Sequence, residues 1–240
     1  MSYMDDPVDV FERHGYVLLD TGVTQATDLP ETERQLERFG SLFRVFQRHP
    51  LWKPLKTDLE RPPGRSSGVG ENSLHIDCVN MENPPRVVAL HCLRSDPAGG
   101  GASRLAPTSK VAEQPPEVLA VLREPLFDEG QAYDLQHVGM CLERFSVLPA
   151  EDSGWVRWSG RLTEKVYSSV VTEALRATEA TLASVTLRVM LTPGQTLVVD
   201  QRRWFHGRDA LGPNQADLPE DARRLLVQCY IDPTRRLTRD

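Results

Sequence analysis

The pattern of apolar and polar positions predicts many short strands and a few amphipathic helices. Apolar runs of strand length lie at 16–20, 86–93, 184–191, 196–199 and 224–231. Apolar residues at helical spacing predict helices over 9–15, 29–43, 111–122 and 165–182. Gly15 is expected to end the first helix, and Pro193-Gly194 to form a turn between two strands. Short strands separated by turn residues, with helices outside them, are typical of a β-barrel or jelly roll.

We therefore predict a mainly β fold with flanking helices, in the α+β class, around a jelly-roll core. The 240 residues suit one domain, because no repeat or compositional boundary divides them. Within it, residues 1–70 are expected to contribute helices, a strand and a loop that pack on the barrel. Residues 71–240 are expected to form the core with helical insertions. The stretch 54–71, rich in Pro, Gly and Ser, is predicted to be a loop that walls a site.

Composition narrows the classes of function. A net charge of −6 argues against general binding to nucleic acid, which requires dense patches of Lys and Arg. The four cysteines have no C-x-x-C spacing, which disfavours a zinc knuckle or a disulfide framework. The acidic amino terminus does not resemble a signal peptide, and no apolar run is long enough to span a membrane. We expect a cytoplasmic protein that does not contact membranes.

A histidine and an aspartate stand two residues apart in the segment 72–77. On an extended backbone, His75 and Asp77 point to the same side and Ile76 points away. An imidazole and a carboxylate are two of the three ligands of a 2-His-1-carboxylate metal site. The triplet alone is weak evidence, because a buried histidine bonded to a nearby carboxylate is a common structural motif.

A third metal ligand is best supplied by His206. It follows the apolar strand 197–199 in a turn-like Phe-His-Gly-Arg, so we expect it at a strand end. The remaining histidines fit less well. His91 lies within a predicted strand, where a structural role is expected, and the others are His14, His49 and His137.

One arginine is predicted to face an interior cavity. In 224–231 the odd positions are all apolar, whereas Arg224 shares the even face with Gln228 and Tyr230. An arginine in a cavity needs an anion, and its planar fork suits a carboxylate. Arg223 is in phase with the apolar face and is expected to turn to solvent. The alternative for Arg224 is a structural salt bridge with one of Asp217, Glu220 and Asp221.

The order of these motifs resembles that of the iron(II)- and 2-oxoglutarate-dependent oxygenases of the taurine dioxygenase and clavaminate synthase-like superfamily. The resemblance spans about residues 70–231. It rests on His75-Ile76-Asp77, on Gly100-Gly101-Ala102-Ser103, on the block from Pro193 to Arg208, and on Arg224-Leu225-Leu226. It implies a double-stranded β-helix, a single oxygenase domain and a small-molecule substrate.

By position, the resemblance implies that His75, Asp77 and His206 bind Fe(II). It further implies that Arg224 pairs with the distal carboxylate of 2-oxoglutarate, helped by the hydroxyl of Ser103, where relatives commonly have threonine. With O2 as the other cosubstrate, such enzymes release succinate and CO2 and oxidise an unactivated C–H bond. Hydroxylation of an amino acid or a biosynthetic intermediate is the expected reaction. The carboxylate of Asp77 disfavours halogenation, because related halogenases lack that ligand.

Two departures from the family pattern bear on the site. The segment between His206 and Arg224 is slightly longer than usual, which leaves Arg223 as a competing anchor for 2-oxoglutarate. Gln228 stands where many relatives have a second arginine that meets an anionic group, which disfavours a strongly anionic substrate there. The predicted substrate contacts are Asn72, Asn80, Arg208 and Gln228, each with a structural role as the alternative.

Two other functions stay open at this point. One is a jelly-roll binding protein without turnover. The other is a cupin-type metal dioxygenase that does not use 2-oxoglutarate. No pattern in the sequence assigns an oligomeric state.

Overall fold

Two antiparallel β-sheets pack face to face in the computed structural model, which describes residues 5–45, 50–129, 142–149 and 153–234. The larger sheet has the order β1 (Tyr16–Val23), β8 (Gly194–Asp200), β5 (Val87–Arg94), β10 (Leu225–Asp232) and β2 (Ser41–Phe43), with β3 (Lys53–Lys56) also paired to β10. The smaller sheet has the order β4 (Asn72–His75), β9 (Trp204–Arg208), β6 (Ser103–Pro107) and β7 (Leu187–Val189). Most paired strands are distant in sequence, as in a jelly roll.

Helices cover the outer faces of both sheets. They are α1 (Pro7–His14), α2 (Leu29–Leu36), α3 (Ser109–Ala112), α4 (Pro116–Arg123) and α5 (Ser169–Ser184). Short 3-10 turns lie at Ala26–Asp28, Gly160–Glu164, Gln215–Asp217 and Glu220–Ala222. The Asp6 carboxylate caps α1 by accepting from the Val8 N–H at 2.8 Å, and Gly15 ends it with a φ of 78°.

The core has three layers. Leu90, Leu105 and Leu226 meet between the sheets. The outer face of the larger sheet packs under α1 and α2, and the outer face of the smaller sheet packs under α4 and α5. Strand β5 is consequently buried on both faces, which accounts for its unbroken apolar run. His91 in this strand has both ring nitrogens bonded, to Thr196 Oγ1 at 2.8 Å and to the Val23 carbonyl at 2.9 Å, as its predicted structural role required.

The predicted helix 29–43 is wrong in its second half. Helix α2 ends at Leu36, and the chain then turns through Gly40 into β2. A Cβ on Gly40, whose φ is 147°, would lie 2.2 Å from the Asp232 carbonyl oxygen. This close approach to β10 overrides the helical spacing of Leu36 and Phe39, although both are buried.

Other boundaries differ for physical reasons. Helix α5 begins at Ser169, so Val166 is 99% exposed and Val170 is 61% exposed, although both are among the apolar residues that predict the helix 165–182. The helix runs to Ser184, which shortens the predicted strand 184–191 to β7. The predicted helix 111–122 is divided into α3 and α4, with Pro116 beginning the second. Lys53–Lys56, partly inside the predicted loop, forms β3 because it pairs with β10.

Some of the sequence-based predictions are not tested by the structure. His49, His137 and Cys141 lie outside the described residues, and the division of the domain at residue 70 stays a prediction. Within the described ranges, no helix combines the length and apolarity needed to cross a lipid bilayer.

Candidate metal centre

Strand pairing brings two histidines side by side. His75, the last residue of β4, is the register partner of His206 in β9, and their ring centroids lie 4.5 Å apart. Asp77 lies two residues beyond the end of β4. Its Oδ1 lies 3.6 Å from His75 Nε2, and its Oδ2 lies 3.5 Å from His206 Nε2. One ligand atom from each residue falls within 4.8 Å of the others, a spacing that suits one metal ion.

Alternation along the strands points these groups inward. Ile76 is 1% exposed and packs in the outer core, so it points away from its two neighbours as expected. Phe205 packs in the same core, which leaves His206 on the inner face of β9. The predicted strand end for His206 is wrong, because the residue lies in the middle of β9 between β4 and β6.

The ionisation states fit a metal site. Burial by itself raises the pKa of Asp77, but the positive charges of His206, His75 and Lys53 together lower it below its usual range. Burial lowers the pKa of His206 to about 4, although the Asp77 carboxylate opposes this shift. For His75, burial is outweighed by hydrogen bonding and charge from Asp77, which raise its pKa. An ionised carboxylate and a neutral imidazole are the forms that bind a cation, so Asp77 and His206 are in the binding form and His75 releases its proton when a metal binds.

A hydrogen bond to the backbone fixes the orientation of the His75 ring. Its Nδ1 lies 2.7 Å from the Ser73 carbonyl oxygen, which makes Nδ1 the donor and leaves the Nε2 lone pair for a ligand. His206 Nδ1 is buried and has no hydrogen-bond partner among the described residues. Two imidazoles and one carboxylate fit a divalent transition metal that keeps open coordination positions, as non-haem Fe(II) does.

Asp77 is held by residues from two other segments. Gln201 is fully buried, and its Oε1 accepts from the Asp77 N–H at 2.6 Å while its Nε2 donates to the Pro85 carbonyl at 2.7 Å. Gln228 Nε2 donates to Asp77 Oδ2 at 2.7 Å. Tyr230 lies beside the carboxylate, and burial together with the charge of Asp77 raises the pKa of the Tyr230 phenol well above its usual value. Gln228 thus touches the carboxylate, a contact that its predicted role at the substrate did not include.

Arg224 lies in the same cavity, and its guanidinium has no partner among the residues that the structure describes. It is 8% exposed, and in the described part of the chain its guanidinium makes no hydrogen bond or ion pair, including with Asp217, Glu220 and Asp221. Burial and the nearby charge of Arg208 lower its pKa to about 10, which leaves it charged. Arg223 does not line this cavity, and its Nε donates to the Leu218 carbonyl at 3.0 Å. Ser103, 2% exposed, lines the cavity at the start of β6.

The Gly-Gly motif shapes the wall behind Arg224. Gly101 has a φ of 75°, and a Cβ there would lie 3.0 Å from Arg224 Nε and 2.8 Å from Leu211 Cδ2. The Asp96 carboxylate fixes this turn, because it accepts from the N–H groups of Ala98 at 3.0 Å, Gly100 at 3.2 Å and Gly212 at 2.6 Å. Glycine at 101 therefore leaves the room that the buried arginine needs.

The remaining predicted substrate contacts fall in different places. Arg208 lines the cavity, but its Nη2 donates to the carbonyls of Gly68 at 2.6 Å and Gly70 at 2.8 Å, so it holds the loop before β4. Asn72 also lines the cavity, and its buried Oδ1 has no partner among the described residues. Asn80 lies in the loop after the triplet and is absent from the cavity wall that the described residues form.

Sequence reasoning missed an acid and a base at the other end of the cavity. Glu129 and Arg161 line it, with 3.7 Å between the carboxylate oxygen and Nη1, and Ser159 Oγ donates to Glu129. Ser159 pairs with His75 through a β-bridge, which places this end beside the metal centre. No periodicity marks 126–162 in the sequence, so no signal pointed there. The cavity measures about 160 Å³, below the roughly 300–1,000 Å³ typical for drug-sized ligands.

Comparison with known protein families matches residues 5–126 to the family described as "Taurine catabolism dioxygenase TauD, TfdA family". The chain belongs to the TauD/TfdA family. The match includes His75, Asp77 and Ser103, whereas His206 and Arg224 lie beyond it. No curated protein sequence matches this TauD/TfdA member.

Solved structures share the fold of this TauD/TfdA member. A crystal structure of asparagine oxygenase (AsnO) has a TM-score of 0.73 at 22% identity and covers 93% of this chain and 76% of its own. Another, in complex with Fe(II), 2S,3S-3-hydroxyasparagine and succinate, has a TM-score of 0.71 at 21% identity, covering 93% and 77%. The non-haem iron oxygenase OrfP, in complex with Fe, succinate and (3S)-hydroxy-L-Arg, has a TM-score of 0.65 at 16% identity, covering 93% and 78%. The predicted double-stranded β-helix is confirmed.

Proposed function

We propose that this protein is an Fe(II)- and 2-oxoglutarate-dependent oxygenase that hydroxylates an unactivated C–H bond of a small amino acid or a related metabolite. One observation carries the proposal. A His-Asp-His cluster and a buried arginine whose guanidinium has no partner in the described part of the chain share one small cavity. Membership of a dioxygenase family and the fold of non-haem iron oxygenases support the same reaction class.

In this proposal His75, Asp77 and His206 hold the iron. The bound iron, with 2-oxoglutarate and O2, supplies the oxidising chemistry, which yields succinate and CO2. His75 binds through Nε2, because its Nδ1 is committed to the Ser73 carbonyl. Asp77 supplies the negative charge. A carboxylate among the ligands favours hydroxylation over halogenation, which needs that position for a halide.

Arg224 is proposed to bind the distal carboxylate of 2-oxoglutarate. A buried guanidinium without an anion is costly, and a carboxylate that accepts two parallel N–H bonds removes that cost. Ser103 supplies a hydroxyl at the same wall of the cavity. Arg223 is disfavoured as the anchor because it donates to the Leu218 carbonyl instead.

The end of the cavity beside His75 is proposed to bind the substrate. Glu129 offers a carboxylate and Arg161 a guanidinium, while Asn72 Oδ1 is a buried acceptor in need of a donor. Acceptors suit an ammonium and a cation suits a carboxylate, so a zwitterionic amino acid fits this wall. The asparagine oxygenase and OrfP structures contain hydroxylated amino acids. Asn80 and Arg208 are proposed to act on loops around the cavity rather than on the substrate.

The expected cellular location is the cytoplasm. Cys92 and Cys229 lie buried in the core without a disulfide. Reduced thiols in a packed interior suit a reducing compartment. A small-molecule substrate is the partner that a cavity of this size supports.

Succinate release tests the proposal. The purified protein is incubated with Fe(II), ascorbate and 2-oxoglutarate, and each of the common amino acids is added in turn. The expected result is succinate formation that depends on one or a few amino acids, with a product heavier by one oxygen atom in mass spectrometry. Failure to bind Fe(II) and to release succinate would favour a binding protein. Substrate oxidation without 2-oxoglutarate would favour a cupin-type dioxygenase.

A further inference from the structure

We infer that Gln228 and Tyr230 are positioning residues that orient the Asp77 carboxylate toward the metal. This inference rests on the proposed metal centre and assigns Gln228 to the ligand rather than to the substrate. Both residues lie on the inner face of β10, two positions apart, so their side chains reach the same carboxylate.

The hydrogen bond from Gln228 has one chemically consistent direction. An ionised carboxylate only accepts, so the amide nitrogen faces Asp77 Oδ2 at 2.7 Å. The side chain of Gln228 is 5% exposed, and the residue pairs with Leu90 of β5 on one side and Lys53 of β3 on the other. A donor on a strand held from both sides has little freedom, so it limits rotation of the carboxylate.

Restricted rotation of the Asp77 carboxylate keeps its two oxygens directed at the two histidines. Oδ2 lies 3.5 Å from His206 Nε2 and Oδ1 lies 3.6 Å from His75 Nε2, so the carboxylate stands astride the two imidazoles. Asp77 lies just past the end of β4, where side chains are less constrained than within a strand. Gln201 fixes its backbone N–H and Gln228 donates to its side chain, with Tyr230 next to the same carboxylate.

A neutral donor suits this position for an electrostatic reason. A guanidinium beside Asp77 would form an ion pair and compete with a metal cation for the carboxylate charge. An amide and a phenol orient the oxygens and leave the full negative charge for the metal. Hydrogen bonds that orient ligands in this way typically contribute a factor of about 10–100 to metal affinity.

Metal titration without substrate or 2-oxoglutarate tests the inference apart from turnover. Apo protein is titrated with Mn(II), and free Mn(II) is measured by electron paramagnetic resonance. Gln228→Met keeps the side-chain length and removes the donor, and it is expected to raise the Kd for Mn(II) by about 10–100-fold. Tyr230→Phe removes one hydroxyl and keeps the ring, and it is expected to raise the Kd by about 2–10-fold. The matched control is Gln195→Met. The wild-type Gln195 side chain accepts a hydrogen bond from the Thr192 N–H in the turn before β8, away from the metal ligands, so this variant is expected to leave the Kd for Mn(II) unchanged.

Each result separates this inference from the proposed function. An unchanged Kd for Mn(II) in Gln228→Met, with a raised KM for the amino acid substrate, would make Gln228 a substrate contact and overturn the inference. If Gln228→Met does not fold, an unchanged Kd in Tyr230→Phe overturns it instead. Wild-type protein that neither binds Mn(II) nor releases succinate would instead refute the proposed metal centre itself.

Discussion

Two buried arginines, Arg157 and Arg224, differ in the groups that compensate their charges. Arg157 is 6% exposed and donates to the backbone carbonyls of Val79 at 2.8 Å, Met81 at 2.6 Å and Glu82 at 2.8 Å. Arg224 is 8% exposed and donates to no group among the described residues. Neither forms an ion pair with a carboxylate in that part of the chain. Burial lowers the pKa of both arginines.

The difference in hydrogen-bond partners indicates a structural role for Arg157 and a ligand-binding role for Arg224. Arg157 gathers the loop that follows Asp77, so its charge is compensated by carbonyl dipoles within the protein. Arg224 faces the cavity, with Gly101 behind it and the charges of Arg208 and Asp96 nearby, and its guanidinium makes no hydrogen bond or ion pair among the described residues. We therefore expect a bound anion to complete its surroundings. Substitutions of the two residues should therefore act on different measurable quantities.

The largest effect is expected for Arg224→Met on 2-oxoglutarate. Losing the charged partner of a buried carboxylate costs about 2–5 kcal/mol, which raises the KM for 2-oxoglutarate by more than about 25-fold. The Kd for Mn(II) should not change, because Arg224 does not touch the metal ligands. Steady-state succinate release measures the first quantity and metal titration the second. Arg223→Met is the matched control, and an equal rise in KM there would move the anchor to Arg223.

Arg157→Met is expected to act on stability. Two buried carbonyls and one part-buried carbonyl would lose their donor, and leaving a buried polar group unpaired costs about 1–3 kcal/mol before relaxation. We expect the free energy of unfolding to fall by about 2–4 kcal/mol, measured by urea denaturation. The KM for 2-oxoglutarate should stay near the wild-type value in protein that remains folded. A stable variant with a raised KM would remove the contrast between the two arginines.

Gly101→Ala is expected to have a moderate effect on both quantities. The added methyl group must accept a φ of 75° and contact Arg224 Nε at 3.0 Å. Alanine at a positive φ costs about 1 kcal/mol or more. Displacement of Arg224 should also raise the KM for 2-oxoglutarate severalfold. Gly99→Ala is a suitable control, because its φ is 80° but no atom lies within 4 Å of the added Cβ, so only the stability should change.

The smallest effect is expected for Arg224→Met in the absence of ligands. Removing a buried charge that has no protein partner should raise the unfolding free energy of the apo protein by about 1 kcal/mol. Saturating 2-oxoglutarate with Mn(II) should stabilise the wild type more than the variant. Thermal unfolding with and without these ligands measures both differences. A less stable apo variant would show that Arg224 contributes to packing in the way that Arg157 does.

The metal-binding and anion-binding residues were more predictable from the sequence than the contacts that hold them in place. The inward direction of Arg224 follows from alternation along β10, and the shared side of His75 and Asp77 follows from their spacing. Their meeting with His206 depends on the register of β4 with β9, which no local pattern encodes. Arg157 binds backbone carbonyls, which have no sequence signature, and Glu129 with Arg161 lie in a stretch without periodicity.

The limits of the fold prediction have the same origin. Strands β5, β8 and β10 were identifiable because apolar runs and alternation are local signals. Helix α2 was predicted too long because the approach of Gly40 to Asp232 is a long-range contact. The short strand β3 was assigned to a loop because its stability comes from pairing with β10 rather than from its own composition.

Burial of β5 on both faces has a consequence for how the molecule opens. The backbone amides of this strand should exchange with deuterated solvent only through global unfolding, since both faces and both edges are covered. The paired histidines belong to the other, four-stranded sheet, in which β4 is an edge strand. A metal ion bound by His75, Asp77 and His206 would therefore be expected to slow exchange in β4 and β9 most, so that these two strands open as rarely as β5.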